Sequence, residues 1–231
     1  MTKNDDKKSQ TNEKSVLILS GGMDSTTLLY KLVSEGKKIF ALSFNYGQKH
    51  KKELKFARYN CKKLNVPHKI IDLSGLKEQG LFGKSSLTSE IDIPEGHYEE
   101  PTMKSTVVPN RNMIMLSIAI SYAISIGAKT IYYGAHAGDH AVYPDCRPEF
   151  VEKMQKVAES CHYYPISINA PFLHIDKGDI VAQGLKLNVD YSKTWTCYKG
   201  QEKACGKCGS CVERLEAFEK NGISDPLQYS I

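Results

Sequence analysis

Four of the seven cysteines fall within one short stretch of the chain, with the types and spacing of metal ligands. Cys197, Cys205, Cys208 and Cys211 are separated by seven, two and two residues, which can bring four thiolates around one ion. Tetrahedral zinc is the first choice for such a set. Four sulfurs leave no open coordination position, so we expect a structural zinc site. An iron–sulfur cluster is the alternative, because C-x2-C-x2-C also occurs in ferredoxins.

A glycine-rich segment near the N-terminus has the composition of a phosphate-binding loop. Residues 20–25 read SGGMDS and lie between an apolar run and a helical pattern. Where a strand passes into a helix, free backbone N–H groups and the helix dipole favour an anion. Gly21 and Gly22 let the backbone approach a phosphate, and Asp24 can hold Mg²⁺. No lysine follows as in a Walker A loop, and a simple glycine-rich turn is the alternative.

Charged residues in two further loops could recognise a polar ligand. Asp139 or Asp145 could accept hydrogen bonds from the ring N–H and amino group of a guanine-like base. Arg147 could hold a carboxylate through two parallel hydrogen bonds. An ordinary loop with an aspartate that caps the next helix explains the segment 143–147 equally well. Arg111 precedes another predicted helix, where it meets a phosphate or pairs on the surface.

Apolar runs alternate with helical patterns along most of the chain. Strands are predicted at 16–19, 38–44, 68–73, 130–134 and 166–170, and helices at 25–33, 50–64, 110–126, 148–161 and 176–187. Because strands that alternate with helices form parallel sheets, we expect an α/β fold. The sheet should be doubly wound, mainly parallel and of about five strands, with ligands at the carboxyl ends of the strands. Residues 74–105 lack periodicity, which is typical of a lid or binding loop.

Length and composition predict one compact molecule with three parts. The 231 residues divide into a disordered tail over 1–14, a nucleotide-binding α/β domain over 15–190 and a zinc knuckle with a helix over 191–231. The tail lacks the apolar stretch of a signal peptide, and no apolar run reaches the roughly 20 residues of a membrane span. We therefore expect a cytoplasmic protein without membrane contact. A net charge of +5 is too small to indicate a nucleic-acid-binding protein.

Together these segments resemble the 7-cyano-7-deazaguanine synthase family of the PP-loop ATP pyrophosphatases. The resemblance is carried by residues 20–25, 46–50, 108–112, 143–147 and 194–198, together with the three later cysteines. It extends from about residue 16 to residue 218. Lys49 stands where arginine is common in the family, and Thr196 where serine is common. The resemblance implies a Rossmann-like fold of the adenine nucleotide alpha hydrolase type.

The same resemblance implies an ATP-dependent carbon–nitrogen ligase. The family converts 7-carboxy-7-deazaguanine and ammonia to 7-cyano-7-deazaguanine, or preQ0, a precursor of queuosine in tRNA. A carboxylate is a poor electrophile, so AMP is attached first to the acid and then to the amide, with release of pyrophosphate. The implied partners are these small molecules with ATP and Mg²⁺, and the family implies a homodimer.

Site residues follow from the resemblance position by position. The implied nucleotide-binding residues are Ile18, Leu19, Ser20, Gly21, Gly22, Met23, Asp24, Ser25, Thr26, Thr27 and Leu28. Those implied in substrate binding are Arg111, Asp139, Asp145 and Arg147. Asp24, Ser25 and Lys177 are the catalytic candidates, with Lys177 reaching the phosphates. His50 is a candidate acceptor of a proton from ammonium, although a packed histidine is the commoner explanation.

Two other functions stay open on sequence alone. The first is a PP-loop enzyme that thiolates tRNA through a persulfide, which is weakened because no cysteine outside the metal set belongs to a C-x-x-C pair. Cys61, Cys146 and Cys161 are its candidates. The second is a zinc-ribbon module that binds nucleic acid. Residues 197–220 carry five Lys and Arg and four acids, which gives little attraction for phosphates.

Overall fold

The computed structural model describes residues 13–230, and five strands form one parallel sheet. The strands are β1 (Lys14–Ile18), β2 (Lys38–Asn45), β3 (His68–Asp72), β4 (Thr130–Tyr132) and β5 (Ser167–Asn169). Their order is β3-β2-β1-β4-β5. The predicted parallel α/β sheet is therefore confirmed. The order reverses between β1 and β4, which is where open α/β sheets bind ligands.

Helices cover both faces of this sheet. They are α1 (Met23–Ser34), α2 (Glu53–Lys63), α3 (Ser74–Glu78), α4 (Arg111–Ile126), α5 (Pro148–Ser160), α6 (Lys177–Lys186) and α7 (Gly209–Lys220). Val16 packs with the apolar side of α4, and the next residue, Leu17, packs with Leu28 of α1 on the opposite face. Because β1 is buried on both faces, its sequence is a continuous apolar run rather than an alternating one.

The N-terminal boundary and the irregular stretch differ in detail from the sequence predictions. The sequence predicts a disordered tail over residues 1–14. Residues 1–12 lie outside the described part of the chain, and β1 begins at Lys14. The stretch 74–105 contains the short helix α3 and buries Phe82, Leu87 and Tyr98. It is therefore a packed segment beside the sheet. Between residues 13 and 230, no helix has the length and apolar character needed to cross a membrane.

Candidate functional site

The loop between β1 and α1 forms a cradle of backbone amides. Gly21 has φ +93°, and a Cβ atom there would lie 2.1 Å from the carbonyl oxygen of Glu53. Only glycine fits this position. The backbone N–H groups of Ser20 and Gly21 donate to Ser25 Oγ at 3.2 and 3.4 Å, and that of Gly22 donates to Ser20 Oγ at 3.1 Å. These bonds hold the loop at the N-terminus of α1, where the first-turn N–H groups have no partner within the helix, an arrangement that suits a phosphate.

A cavity opens beside this loop and gathers most of the predicted residues. Those that line it are Ile18, Leu19, Ser20, Gly22, Met23, Asp24, Ser25, Arg111, Asp139 and Lys177. Four predicted nucleotide-binding residues do not line it, and one of them is Gly21, which lies against the backbone of Glu53. Thr26 is fully buried, Thr27 Oγ1 lies 2.8 Å from the hydroxyl of Tyr191, and Leu28 packs in the core. The first turn of α1 therefore faces the cavity, whereas its second turn packs inside the protein.

Lys177, in the first turn of α6, carries a buried positive charge into the cavity. Its Nζ atom lies 2.5 Å from Glu213 Oε2 and 3.6 Å from Asp24 Oδ2. Burial lowers the pKa of Lys177, but the nearby carboxylates of Asp24 and Glu213 more than offset this, so the pKa is raised. The ammonium group therefore stays charged at any pH at which the enzyme would work.

His136 lies beside these charged groups. Its Nδ1 atom accepts a hydrogen bond from the backbone N–H of Gly138 at 3.1 Å, so a proton on the neutral ring sits on Nε2. Nε2 faces Asp139 Oδ1 at 3.6 Å and Asp24 Oδ2 at 3.9 Å. The other oxygen of Asp24 is buried and has no hydrogen-bond partner among the described residues. A carboxylate oxygen without a partner is a suitable ligand for Mg²⁺.

Aromatic rings form a further part of the cavity wall, the tyrosine wall. The tyrosines that line the cavity are Tyr46, Tyr98, Tyr133, Tyr143 and Tyr198. Arg111 NH1 donates to the hydroxyl of Tyr46 at 3.3 Å, and the hydroxyl of Tyr98 donates to Asp139 Oδ1 at 3.0 Å. Flat apolar faces with a few fixed polar groups at their edges suit a planar heterocycle.

Two predicted substrate residues, Asp145 and Arg147, do not line the cavity. Asp145 Oδ2 accepts a hydrogen bond from the backbone N–H of Asn112 at 3.0 Å, so it satisfies an amide in the first turn of α4. Arg147 Nε donates to the carbonyl oxygen of His140 at 3.0 Å. The structure thus brings Arg111 and Asp139 together at the cavity and gives Asp145 and Arg147 structural contacts.

The four clustered cysteines are all buried, and their sulfur atoms lie within 4.8 Å of one another. A tetrahedral ion with Zn–S bonds of about 2.3 Å separates its sulfurs by about 3.8 Å. The backbone N–H groups of Lys207 and Cys208 point at Cys205 Sγ from 3.4 and 3.3 Å, as is common around thiolate ligands. The donor set fits one tetrahedral metal ion, whereas a cluster of several irons needs wider spacing.

The cysteine cluster is joined directly to the phosphate loop. The backbone N–H of Trp195 donates to the carbonyl oxygen of Gly21 at 3.0 Å. Its indole Nε1 donates to the carbonyl oxygen of Cys197 at 2.8 Å. On the other side, Cys208 is the N-cap of α7, the helix that places Glu213 against Lys177. Both sides of the cavity are thus attached to the residues that would hold the metal.

Solved structures share this fold. A 4-thiouridine synthetase, solved as an RNA complex with bound ATP, superposes with a TM-score of 0.53 at 18% identity and covers 88% of this chain and 50% of its own. NMN synthetase from Francisella tularensis gives a TM-score of 0.52 at 14% identity, with 97% and 88% covered. The predicted α/β fold is therefore also the fold of these two solved structures.

A comparison with protein families shows which proteins are related to the chain. The family model described as queuosine biosynthesis protein QueC matches residues 14–222. The chain belongs to the QueC family. Among QueC relatives, 7-cyano-7-deazaguanine synthase 1 of Colwellia psychrerythraea is 61% identical over 217 residues, covering 94% of this chain and 99% of its own length. The 7-cyano-7-deazaguanine synthase of Hahella chejuensis is 61% identical over 216 residues, covering 94% and 93%. The predicted family resemblance is confirmed.

Several residues that line the cavity of this QueC chain, or contact residues that line it, were not identified from the sequence. Tyr46 and Tyr198 belong to segments that carry the resemblance, so those segments were a usable signal. Glu53, His136 and Glu213 had no such signal. Glu213 lies two residues after a metal-ligand cysteine, but its partner Lys177 is 36 residues away in sequence. A single sequence shows no pattern for such a distant pair.

Proposed function

We propose that this chain is a 7-cyano-7-deazaguanine synthase, an ATP-dependent ligase that converts 7-carboxy-7-deazaguanine and ammonia to the 7-cyano product. The observation that carries the proposal is that one cavity combines the phosphate loop, the charged Lys177 and a wall of tyrosine rings. A nucleotide and a flat deazaguanine ring would then lie side by side. The names of relatives that are 61% identical support the same reaction.

Activation of the acid is the first step. A carboxylate oxygen of the substrate attacks the α-phosphorus of ATP, and the bond to pyrophosphate breaks. The free backbone N–H groups in the first turn of α1 and the ammonium of Lys177 stabilise the negative charge that leaves with pyrophosphate. Mg²⁺, held by Asp24, would neutralise further charge on the phosphates. Ser25 orients the loop through its hydroxyl group.

The later steps use the same cavity. Ammonia attacks the acyl-adenylate, AMP leaves, and an amide forms. A second ATP adenylates the amide oxygen with release of pyrophosphate, after which loss of AMP and of both protons of the amide nitrogen gives the nitrile. Because both adenylations act on an oxygen attached to the same carbon, one phosphate site serves both.

Four residues would contribute to substrate recognition, two by direct contact and two by positioning their neighbours. Arg111 and Asp139 line the cavity and would contact the substrate directly. Asp145 and Arg147 would position the first turn of α4 and the neighbouring loop behind them. The substrate-binding role predicted for the last two is thus retained only as an indirect one.

The four buried cysteines would hold a structural zinc ion. Its role would be to hold Trp195 against the phosphate loop and α7 beside Lys177. All four ligands are protein sulfurs and none of them lines the cavity, so the ion would not contact the substrates. The homodimer implied by the resemblance stays a prediction, which the mass of the protein in solution tests.

The tRNA-thiolating alternative is disfavoured by the state of the remaining thiols. Burial raises the pKa of Cys61 to about 12 and raises that of Cys146 well above its usual range. Cys161 is exposed and does not line the cavity. A persulfide carrier needs an accessible thiolate near the adenylated base. None of these three cysteines combines both properties.

Product analysis by mass spectrometry tests the proposal. Purified protein is incubated with 7-carboxy-7-deazaguanine, ammonium, Mg²⁺ and ATP, and we expect the nitrile together with AMP. Asp24→Ala should reduce both by at least roughly a hundredfold, because a metal and phosphate contact is lost. Asp92→Ala, at an exposed position, is the matched control. Formation of AMP without the nitrile would contradict the proposed substrate. Absence of both products would favour the nucleic-acid-binding module.

A further inference from the structure

Glu53, the first residue of α2, presents a carboxyl group to the cavity that the proposed mechanism has not used. The residue is only 7% exposed, and it lines the same cavity as the phosphate loop. Oε1 accepts a hydrogen bond from Gln48 Nε2 at 3.0 Å, and His50 Nε2 lies 3.6 Å from it. Oε2 accepts no hydrogen bond from any described residue. One oxygen is therefore held by the protein, and the other is available to a ligand.

The surroundings of Glu53 hold it in one position. Gln48 uses its own oxygen to accept the backbone N–H of Tyr46 at 2.9 Å, and its nitrogen also donates to the carbonyl oxygen of Phe44 at 3.1 Å. The backbone carbonyl of Glu53 lies against Gly21, so close that no methyl group fits between them. The carboxyl group is thus fixed beside the loop that would hold the phosphates.

The surroundings of Glu53 bring the pKa of its carboxyl group close to neutral pH. Burial raises the pKa of Glu53 to about 7, although the hydrogen bond from Gln48 and the charge of Arg111 act in the opposite direction. Burial and Arg111 lower the pKa of His50 to about 3, so this histidine is neutral. Burial also raises the pKa of Tyr46 to about 12, so its hydroxyl is neutral too. Among these neighbours, Glu53 alone can exchange a proton near neutral pH.

We propose that Glu53 is the ammonium subsite of this cavity, an inference that rests on the proposed function. A poorly solvated carboxylate attracts a small cation strongly. Ammonium would donate a hydrogen bond to Oε2, with the aromatic rings of Tyr46 and Tyr198 lining the same space. The residue predicted from the sequence to accept the ammonium proton, His50, is buried and does not line the cavity. The carboxyl group three positions further on takes that role.

The proton and electron balance of the step is simple. Ammonium transfers one proton to the carboxylate of Glu53, and the freed lone pair of ammonia forms a bond to the acyl carbon of the adenylate. The bond between that carbon and the AMP oxygen breaks, and its electron pair leaves with AMP. The new nitrogen then loses a second proton to water, which gives the neutral amide. Glu53 returns its proton to solvent before the next turnover.

Glu53→Gln tests this subsite, because it keeps the shape of the side chain and removes its charge. We expect the KM for ammonium at fixed pH to rise by about tenfold or more, since a charge-assisted hydrogen bond is lost. Exchange of labelled pyrophosphate into ATP that depends on 7-carboxy-7-deazaguanine should stay within about twofold, because adenylation needs no ammonium. Conversion of the amide to the nitrile, which also needs no ammonium, should be equally unaffected. Glu78→Gln, the same change at an exposed position of α3, is the matched control.

The outcomes separate the subsite from the proposed function. An unchanged KM for ammonium in Glu53→Gln would overturn the subsite. Loss of acid-dependent exchange in a folded variant would also overturn it, because Glu53 would then act on adenylation. If the unmodified protein itself shows no acid-dependent exchange, the proposed function fails and the subsite fails with it. Should Glu53→Gln not fold, Glu53→Asp keeps the charge at a shorter reach and should raise the KM for ammonium without loss of exchange; an unchanged KM there would overturn the subsite.

Discussion

Gly21 is subject to two constraints that can be separated by mutation. Its φ of +93° lies in the region that favours glycine, and a Cβ atom would meet the backbone of Glu53 at 2.1 Å. Gly21→Ala should therefore lower the free energy of unfolding by about 3 kcal/mol or more and abolish ATP binding. Urea unfolding and a nucleotide titration measure the two effects.

Gly36→Ala is the control for the backbone conformation alone. Gly36 has φ +73°, and a Cβ atom added there would have no other atom within 4 Å. It should cost only about 1–2 kcal/mol, the penalty for a left-handed residue, and leave ATP binding intact. Equal losses of stability in the two variants would show that contact with Glu53 does not fix the loop.

The residues of the site differ in whether they belong to one local sequence pattern or come together from distant parts of the chain. Asp24 and Ser25 are part of one local pattern, so the sequence alone was enough to predict their place at the cavity. Glu53 and Glu213 arrive through contacts between distant parts of the chain, which no local spacing encodes. Asp145 shows a third case, since the sequence allowed a ligand contact or a cap on the next helix, and the structure shows neither. Its carboxylate instead accepts the backbone N–H of Asn112 in the first turn of α4.

At the scale of elements, α7 is fixed by a buried guanidinium group. Arg214 is 0% exposed, and its Nε and NH2 atoms donate to the two carboxylate oxygens of Asp225 at 2.6 and 2.8 Å. Its NH1 atom donates to Thr194 Oγ1 at 2.8 Å. Asp225→Ala leaves this buried charge without its counterion, so we expect a loss of about 3–5 kcal/mol in urea unfolding.

A second ion pair of the same helix provides the comparison. Lys220 Nζ lies 2.6 Å from Asp176 Oδ2, but both side chains are about half exposed. Solvent screens such a pair, so Lys220→Ala should change the free energy of unfolding by less than about 1 kcal/mol. If Asp225→Ala cost no more than this, the buried pair would not be what fastens α7.

Strands and long helices could be predicted because their apolar periodicity extends over many residues. The helix α3 could not, since its five residues SGLKE include no repeat of an apolar face. The stretch that contains it is ordered by burial of Phe82 and Tyr98 in the core cluster. Tertiary packing of this kind leaves no local periodic signal, so the stretch reads as an irregular loop.

At the scale of the whole molecule, we expect removal of metal from the cysteine cluster to weaken nucleotide binding at the phosphate loop. Trp195, the only tryptophan, is 1% exposed and bonded to both Cys197 and Gly21. Removal of the metal by a chelator should shift tryptophan fluorescence to longer wavelength, weaken ATP binding and lower the free energy of unfolding. Added zinc should reverse all three effects.

Two observations make this prediction decisive. Cys161→Ser changes an exposed cysteine outside the cluster and should leave both the metal content and the spectrum unaltered. A chelated protein that has lost its metal but keeps its fluorescence maximum and its ATP affinity would contradict the coupling.

The hydrogen bond from Trp195 to Gly21 also orders events during synthesis. The phosphate loop leaves the ribosome early, with β1, whereas its anchor follows much later, together with the first metal-ligand cysteine. Domains fold from the N-terminus as they emerge, but this loop must wait for a distant part of the same chain. We therefore expect the phosphate loop of the nascent protein to gain this anchor only when the cysteine-containing segment has cleared the exit tunnel.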